Sequence, residues 1–189
     1  MEPGSVSSAP TDGSEVLTGG ESDEPLEEDL ALPGEEDGPE LEDRDDRAGD
    51  RCTPTGFVKV KKNLKNTMSV KYSTFVKNNK SYPVTFKFTS KRSGTTTYGA
   101  SVSVSSDFKV MWLSKVEATI TGSVEKSMTS ELGIETSGKV KAHSTVKGNY
   151  GIKKENVYGY TATRYSNCSV GNKRYMKFWA PYCEGWVLS

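Results

Sequence analysis

Hydrophobic and polar residues alternate along most of the stretch from residue 82 to residue 147. Val84, Phe86 and Phe88 are separated by Thr85 and Lys87, and similar alternation recurs at 102–105, 116–121 and 139–144. A period of two places successive side chains on opposite faces of a pleated strand. β-Branched residues on both faces favour strands over helices. The pattern predicts a sheet with one thin apolar face and one face of Ser, Thr and Lys.

The alternation and the turn residues predict strands over 57–60, 67–76, 82–91, 95–106, 108–121, 134–147, 158–165 and 174–182. A helix over 108–117, around Met111-Trp112-Leu113, is the less favoured alternative because β-branched residues resume directly after it. Residues 52–189 contain 15 Val and only 4 Leu, which is typical of strands. We expect an all-β domain built on a twisted antiparallel sheet or sandwich, with Phe86 and Trp186 in its core and Lys87 outside.

Charge divides the chain into two parts. Residues 1–51 hold 18 Asp/Glu and three Arg, a net charge of −15, and the remainder carries the balancing +15. The acidic part has no aromatic residue and is rich in Gly, Pro and Ser, so it cannot bury enough apolar surface to offset the entropy of ordering. We therefore expect a disordered acidic arm over 1–51 before the domain at 52–189.

The few apolar residues of the arm are its candidate partner contacts: Val6, Val16, Leu17, Leu26, Leu30 and Leu32. A flexible segment of this kind can fold on binding or add a strand to an exposed sheet edge. The alternative is that the arm only solubilises the domain or folds back on it electrostatically. Because the start lacks the basic and apolar layout of a signal peptide, the chain is either cytosolic or a secreted protein whose leader has been removed, and we favour the second.

Three cysteines, Cys52, Cys168 and Cys183, allow one disulfide and leave one thiol. Their spacing matches no zinc pattern, and with a single His in the chain we expect no metal site and no cofactor. A structural disulfide suits a Ser-, Thr- and Tyr-rich secreted domain. The spacing does not choose the pair. We expect Cys183 to take part, because the last residues hold Trp186 and need anchoring.

Catalytic chemistry has no support in the sequence. His143 lies in a Lys-rich strand without a nearby nucleophile or orienting acid, which predicts a solvent-facing side chain. The seven acids of the domain are dispersed, and no phosphate loop, dinucleotide fingerprint or nucleophile elbow occurs. Lys residues interleaved with Tyr and Trp raise nucleic-acid binding as a weaker hypothesis. We expect a non-enzymatic protein and no nucleic-acid partner.

Residues 100–147, dense in Ser and Thr and thin in large apolar residues, resemble the insertion region of the aerolysin-like fold. Alternation also suits a membrane hairpin with about ten residues per strand, one face toward lipid and one toward the lumen. What this resemblance implies is a pore-forming protein whose inserted strands come from 100–147.

A second resemblance covers residues 98–189. Val102-Ser-Val-Ser-Ser-Asp-Phe-Lys-Val-Met-Trp, Tyr160-Thr-Ala-Thr-Arg-Tyr, Cys168 and the closing Gly185-Trp186 resemble small secreted actinobacterial β proteins. Together with the acidic arm, the chain is similar to the small adaptor subunit of umbrella toxin particles. The resemblance implies a secreted adaptor of an antibacterial toxin assembly, whose arm engages lectin-like and large stalked toxin subunits. This adaptor is the favoured expectation, and the pore-forming protein is the alternative, the only one in which a membrane is a partner.

Overall fold

Three long antiparallel strands form the frame of the structure, a computed structural model that describes residues 17–21, 29–41, 51–120 and 122–189. Within those ranges the strands are β1 Leu17–Glu21, β2 Asp29–Ala31, β3 Thr55–Asn78, β4 Val84–Thr89, β5 Thr95–Thr97, β6 Gly99–Ala100, β7 Ser127–Thr129, β8 Glu135–Val140, β9 Thr145–Arg164 and β10 Val170–Leu188. The helix α1 spans Ser106–Thr119. The predicted all-β class is confirmed.

β9 is the central strand and pairs with β3 on one side and β10 on the other. Register shifts occur in β3 and β10, at Val60/Lys62, Leu64/Thr67, Val70/Tyr72, Gly171/Arg174 and Pro181/Cys183, whereas β9 runs without interruption. Each shift marks a β-bulge, an extra residue in one strand of the pair, which bends that strand and increases its twist. Unbroken alternation along β9 defines two faces. We call the side of its even-numbered residues, with their direct partners, the front face, and the other the back face.

α1 covers the back face near the end of the sheet that carries Thr55 and Arg164, which we call the disulfide end because Cys52 and Cys168 are bonded beside it. Trp112, Leu113 and Val116 are buried there against Val58 and Phe178. The indole of Trp112 stacks on the ring of Phe178 with centroids 5.7 Å apart. This cluster is the largest apolar core among the described residues.

The helix contradicts the strand predicted over 108–121. Phe108, Trp112 and Val116 recur every four residues and so lie on one side of a helix, a spacing that outweighs the β-branched residues of its last turn. Asp107 lies in the first turn, where a negative charge is favourable. The strand predicted over 95–106 is also wrong beyond the short β5 and β6.

Parts of the acidic arm are not free in the structure. β1 and β2 both pair with the edge of β3 that faces away from β9. Residues 32–41 continue along the same edge, where Gly38 and Leu41 donate their backbone N–H groups to the carbonyls of Asn63 and Lys61. Unpaired edges attract other strands, so this docking protects a 24-residue strand.

The face assignment of the strand at 84–89 is confirmed: Phe86 and Phe88 are buried, and Lys87 points outward to Glu135 at 2.7 Å.

We expect Phe86→Ala to lower the free energy of unfolding by about 3–5 kcal/mol, because it empties a buried aromatic site. The matched variant Lys87→Ala should change it by less than about 0.5 kcal/mol, since exposed ion pairs contribute little. Thermal or denaturant melts of both variants measure this, and a larger loss in Lys87→Ala would contradict the register.

Candidate functional site

The segment between β3 and β9 folds back on the sheet as one interrupted hairpin. β4 pairs with β8, and β5 pairs with β7. The segments that separate the two ladders, 90–94 and 130–134, both contain five residues, so the ladders share one register. Hydrogen bonds from Ser90 N–H to the Ile134 carbonyl and from Ser130 N–H to the Gly94 carbonyl maintain that register across the gap. We call residues 84–97 and 127–140 the folded-back hairpin.

The two faces of the folded-back hairpin differ in chemistry. One face packs on the front face of the sheet, where Phe86, Phe88 and Val140 form a cluster with Val76 and Trp186. The opposite face is exposed and consists of Ser, Thr and three charged residues: Thr85, Lys87, Thr95, Thr97, Ser127, Thr129, Glu135, Ser137 and Lys139. The hairpin is therefore amphipathic along both of its strands.

A buried amide fixes the bend where the hairpin leaves the sheet. Asn78, the last residue of β3, has no exposed surface. Its Nδ2 lies 2.8–3.2 Å from the carbonyl oxygens of Tyr82, Val140 and Lys141, and its Oδ1 accepts the N–H of Lys80 at 2.9 Å. One side chain thus satisfies backbone groups on both strands of the bend.

β10 holds the hairpin against the sheet through polar contacts. One carboxylate oxygen of Glu184 accepts the N–H of Glu131 at 2.8 Å and the hydroxyl of Tyr150 at 2.6 Å. Burial and the hydrogen bond to Glu184 raise the pKa of Tyr150, so its phenol stays protonated and donates to that carboxylate. The indole of Trp186 donates to the carbonyl of Ile134 at 3.1 Å and contacts the rings of Phe88 and Tyr150.

The structure places three of the six candidate arm contacts. Leu30 and Leu32 pack with Met68, Val70 and Val187 on the back face, and Leu32 is buried. Leu17 begins β1 opposite Asn78. The remaining candidates, Val6, Val16 and Leu26, lie outside the described residues.

Acidic residues of the arm pair with cations of the sheet. Asp29 lies 2.6 Å from Lys154, whose side chain is 7% exposed, and Asp37 lies 3.4 Å from Lys62. The backbone N–H of Lys65 lowers the pKa of Asp37, with a smaller contribution from Lys62. Asp29 therefore neutralises a lysine that is buried while the arm is docked, as a buried charge requires.

The expectation of one disulfide is confirmed. Cys52 and Cys168 form it at the disulfide end of the sheet, and Cys183 is a half-buried thiol. The prediction that Cys183 takes part in the bridge is wrong. The end of the chain needs no such anchor, because β10 pairs with β9 as far as Leu188 and Trp186 docks in the core as predicted. Burial raises the pKa of Cys183.

His143 is exposed in the turn between β8 and β9, where its φ of 50° replaces the predicted strand. Within the described ranges no group of three or more His, Cys, Asp or Glu residues has a metal-binding arrangement. No helix among the described residues is both long and apolar enough to cross a membrane.

Comparison with known proteins finds no matching family model, no matching curated protein and no matching solved structure. The site is therefore interpreted from its own geometry. The polar run Lys77-Asn78-Asn79-Lys80 predicts a turn, but the structure extends β3 through Asn78 and places the turn at 79–83. The role of Asn78 was missed, although an Asn at a strand end beside a polar turn is a recognisable signal.

We expect Asn78→Ala to destabilise the protein by about 2–4 kcal/mol, because it leaves more than one buried backbone group without a partner. Asn79→Ala, in the adjoining turn, is the matched control and should change stability by less than about 0.5 kcal/mol. Hydrogen exchange should show faster exchange at 84–89 and 135–140 in Asn78→Ala. Equal protection in the two variants would contradict the assigned role.

Peptide mapping without reductant should recover Cys52 linked to Cys168 and a free Cys183. We expect iodoacetamide to alkylate Cys183 more slowly than a free cysteine at neutral pH, because its raised pKa reduces the thiolate fraction. The rate should rise as pH increases above the ordinary cysteine range. A map that links Cys183 to either partner would contradict the structure.

Proposed function

We propose that the protein is a pore-forming β protein whose folded-back hairpin straightens and inserts into a membrane. The single observation that carries this proposal is the shared register of the two ladders across gaps of equal length. A hairpin that already has one register can extend without changing its strand pairing. β3 and β9 would continue directly into it, because they flank the hairpin and pair with each other as far as Lys77 and Thr145.

The length of the hairpin suits a bilayer. A transmembrane strand needs about 9–11 tilted residues. The hairpin has 14 positions on each strand, 84–97 and 127–140. The part nearest the bend alternates best, with Val84, Phe86, Phe88, Ile134 and Val140 on one face and the Ser/Thr/Lys set on the other. The first face would contact lipid, and the second would line an aqueous lumen.

The charge of Arg92 limits which residues of the hairpin can lie within the membrane. Arg92 falls in the five-residue gap and shares the apolar face. An Arg on the lipid face costs about 2–4 kcal/mol at the midplane but only about 0–1 kcal/mol near an interface. A span that starts at the bend and covers about ten residues places Arg92 at its far boundary. The inserted segment of this proposal therefore lies near 82–91 and 133–142, not over 100–147, where α1 replaces the expected strands.

Two cross-links test the proposal. Lys71→Cys with Gly94→Cys, in a Cys183→Ser background, should lock the hairpin to β3, because a Cβ atom on Gly94 would lie 3.5 Å from Cγ of Lys71, the position that the sulfur of a Cys takes. Thr95→Cys with Thr129→Cys links paired residues whose hydroxyls are 2.7 Å apart and preserves the hairpin register. Only the first link should block dye release from lipid vesicles.

Reductant should restore dye release to the first double variant. The Cys183→Ser protein treated with the same reductant is the control, because reductant also breaks the native Cys52–Cys168 disulfide. Release that persists with the hairpin fully locked would overturn the proposal. So would equal inhibition by both cross-links, because the second link is compatible with a straightened hairpin.

A second candidate function is the secreted adaptor, and the docked arm favours it. Segment 29–41 shows that the arm can add to a sheet edge with its leucines in an apolar groove. In an adaptor of a toxin assembly the same segment would leave β3 and pair with another secreted subunit. The Cys52–Cys168 disulfide is compatible with an extracellular protein.

A lock on the arm tests the adaptor. Ala31→Cys with Thr67→Cys joins directly paired residues of β2 and β3. In the adaptor proposal, the oxidised variant loses a stoichiometric complex with secreted subunits and regains it on reduction, while single Ala31→Cys behaves as the parent. An unchanged complex in the oxidised variant would contradict arm-mediated assembly.

A further inference from the structure

The front face of the sheet has an aromatic surface near the disulfide end, away from the folded-back hairpin. Paired positions of β3, β9 and β10 place Tyr158, Tyr160 and Tyr175 together, with Phe57 beside them. Ring centroids of successive members lie 5.3–6.3 Å apart. Tyr175 is 50% exposed and Tyr158 is 37% exposed. We call these four residues the aromatic patch.

Cations surround the aromatic patch. Lys177 pairs with Tyr158 across the strands, and Arg164 lies over the ring of Phe57 at 5.5 Å. The Nζ of Lys173 lies 4.9 Å above the ring of Tyr160. Lys173 and Lys177 are exposed. Among the described front-face positions from Phe57 to Leu64 and their direct partners on β9 and β10, no Asp or Glu occurs. On the arm side, Asp37 lies 3.4 Å from Lys62, the β3 partner of Tyr158, and Glu40 forms a bridge with Lys62.

We propose that the aromatic patch and its cations form a docking site for an anionic phospholipid surface, and this inference rests on the proposed pore-forming function. Tyr side chains prefer the membrane–water interface because one end of the ring is apolar and the other is polar. Lys and Arg side chains extend apolar stems along such a surface and place their charges among the headgroups. The charges of Lys173, Lys177 and Arg164 are complementary to an anionic leaflet.

The ring geometry favours a lipid surface over single-stranded nucleic acid. The rings of Tyr158 and Tyr175 stack on each other with planes 21° apart, so they occupy one another's faces. A base-stacking platform needs free ring faces. The edges and hydroxyls of these exposed phenols suit a headgroup layer better.

Vesicle co-sedimentation with the full chain tests the site. We expect binding to phosphatidylcholine vesicles that contain phosphatidylserine, little binding to phosphatidylcholine alone, and weaker binding as salt increases. Lys177→Ala should weaken binding about fivefold, the contribution of one cation near an anionic surface. The matched control Lys115→Ala removes an exposed lysine from α1, on the back face, and should leave binding unchanged.

The ring requirement is tested at Tyr175. Tyr175→Phe keeps the ring and should retain most of the binding, whereas Tyr175→Ser should lose about as much as Lys177→Ala or more. Equal losses in Lys115→Ala and Lys177→Ala would overturn the site, because net charge alone would then explain binding. Loss of heparin or single-stranded DNA binding in the patch variants with vesicle binding intact would also overturn it.

Dye release separates this inference from the proposed function. If the patch variants bind vesicles and release dye as the parent does, the docking site is refuted and the pore proposal stands. If the parent binds vesicles through the patch but never releases dye, the docking site stands and the pore proposal fails.

Discussion

The structure depends on the backbone pairing of β9, which has a partner on both sides along nearly all of its 20 residues. Buried backbone groups need hydrogen bonds, and a central strand satisfies them only while both neighbours follow it. β3 and β10 therefore carry the bulges, and β9 carries none. The two outer edges that remain are covered in part, β3 by the arm and β10 by β6. The arm and β6 therefore shield parts of these two edges from pairing with other strands.

In the proposed pore, the same apolar residues would serve two states of the folded-back hairpin. In the structure Val84, Phe86 and Phe88 complete the core with Trp186, and in the proposed inserted form they would face lipid. Each is worth about 1.5–3 kcal/mol when removed from water, and both states remove it. The two states would then differ mostly in polar contacts, among them the amide of Asn78 at the bend and the Glu184 carboxylate and Trp186 indole N–H at the gap.

Sequence periodicity predicted β4 and β8 of the hairpin and their faces, because alternation is local, but it did not predict β7. It did not predict α1, since Phe108, Trp112 and Val116 are as consistent with a helix as Val116, Ala118 and Ile120 are with a strand. The helix is favoured by tertiary packing, because it buries Trp112, Leu113 and Val116 against the back face of the sheet. Nor did it predict the disulfide, because three cysteines allow three single bridges. The arm was predicted to be disordered from its composition, which counts apolar residues but not the positions at which they pack. In the structure, residues 29–41 dock along β3, with Leu30 and Leu32 packed against the sheet.

The docked arm constrains any partner that replaces it. Removing β2 takes away the carboxylate of Asp29, which lies 2.6 Å from the Nζ of Lys154 and covers it. Removal also empties the groove that Leu32 fills between Met68 and Val70. A competing strand with a carboxylate opposite Lys154 and a leucine-sized side chain about three residues later would reproduce both contacts. The arm of a second copy carries both groups, so exchange of arms between two copies would keep these two contacts, whereas an unrelated partner would have to supply them.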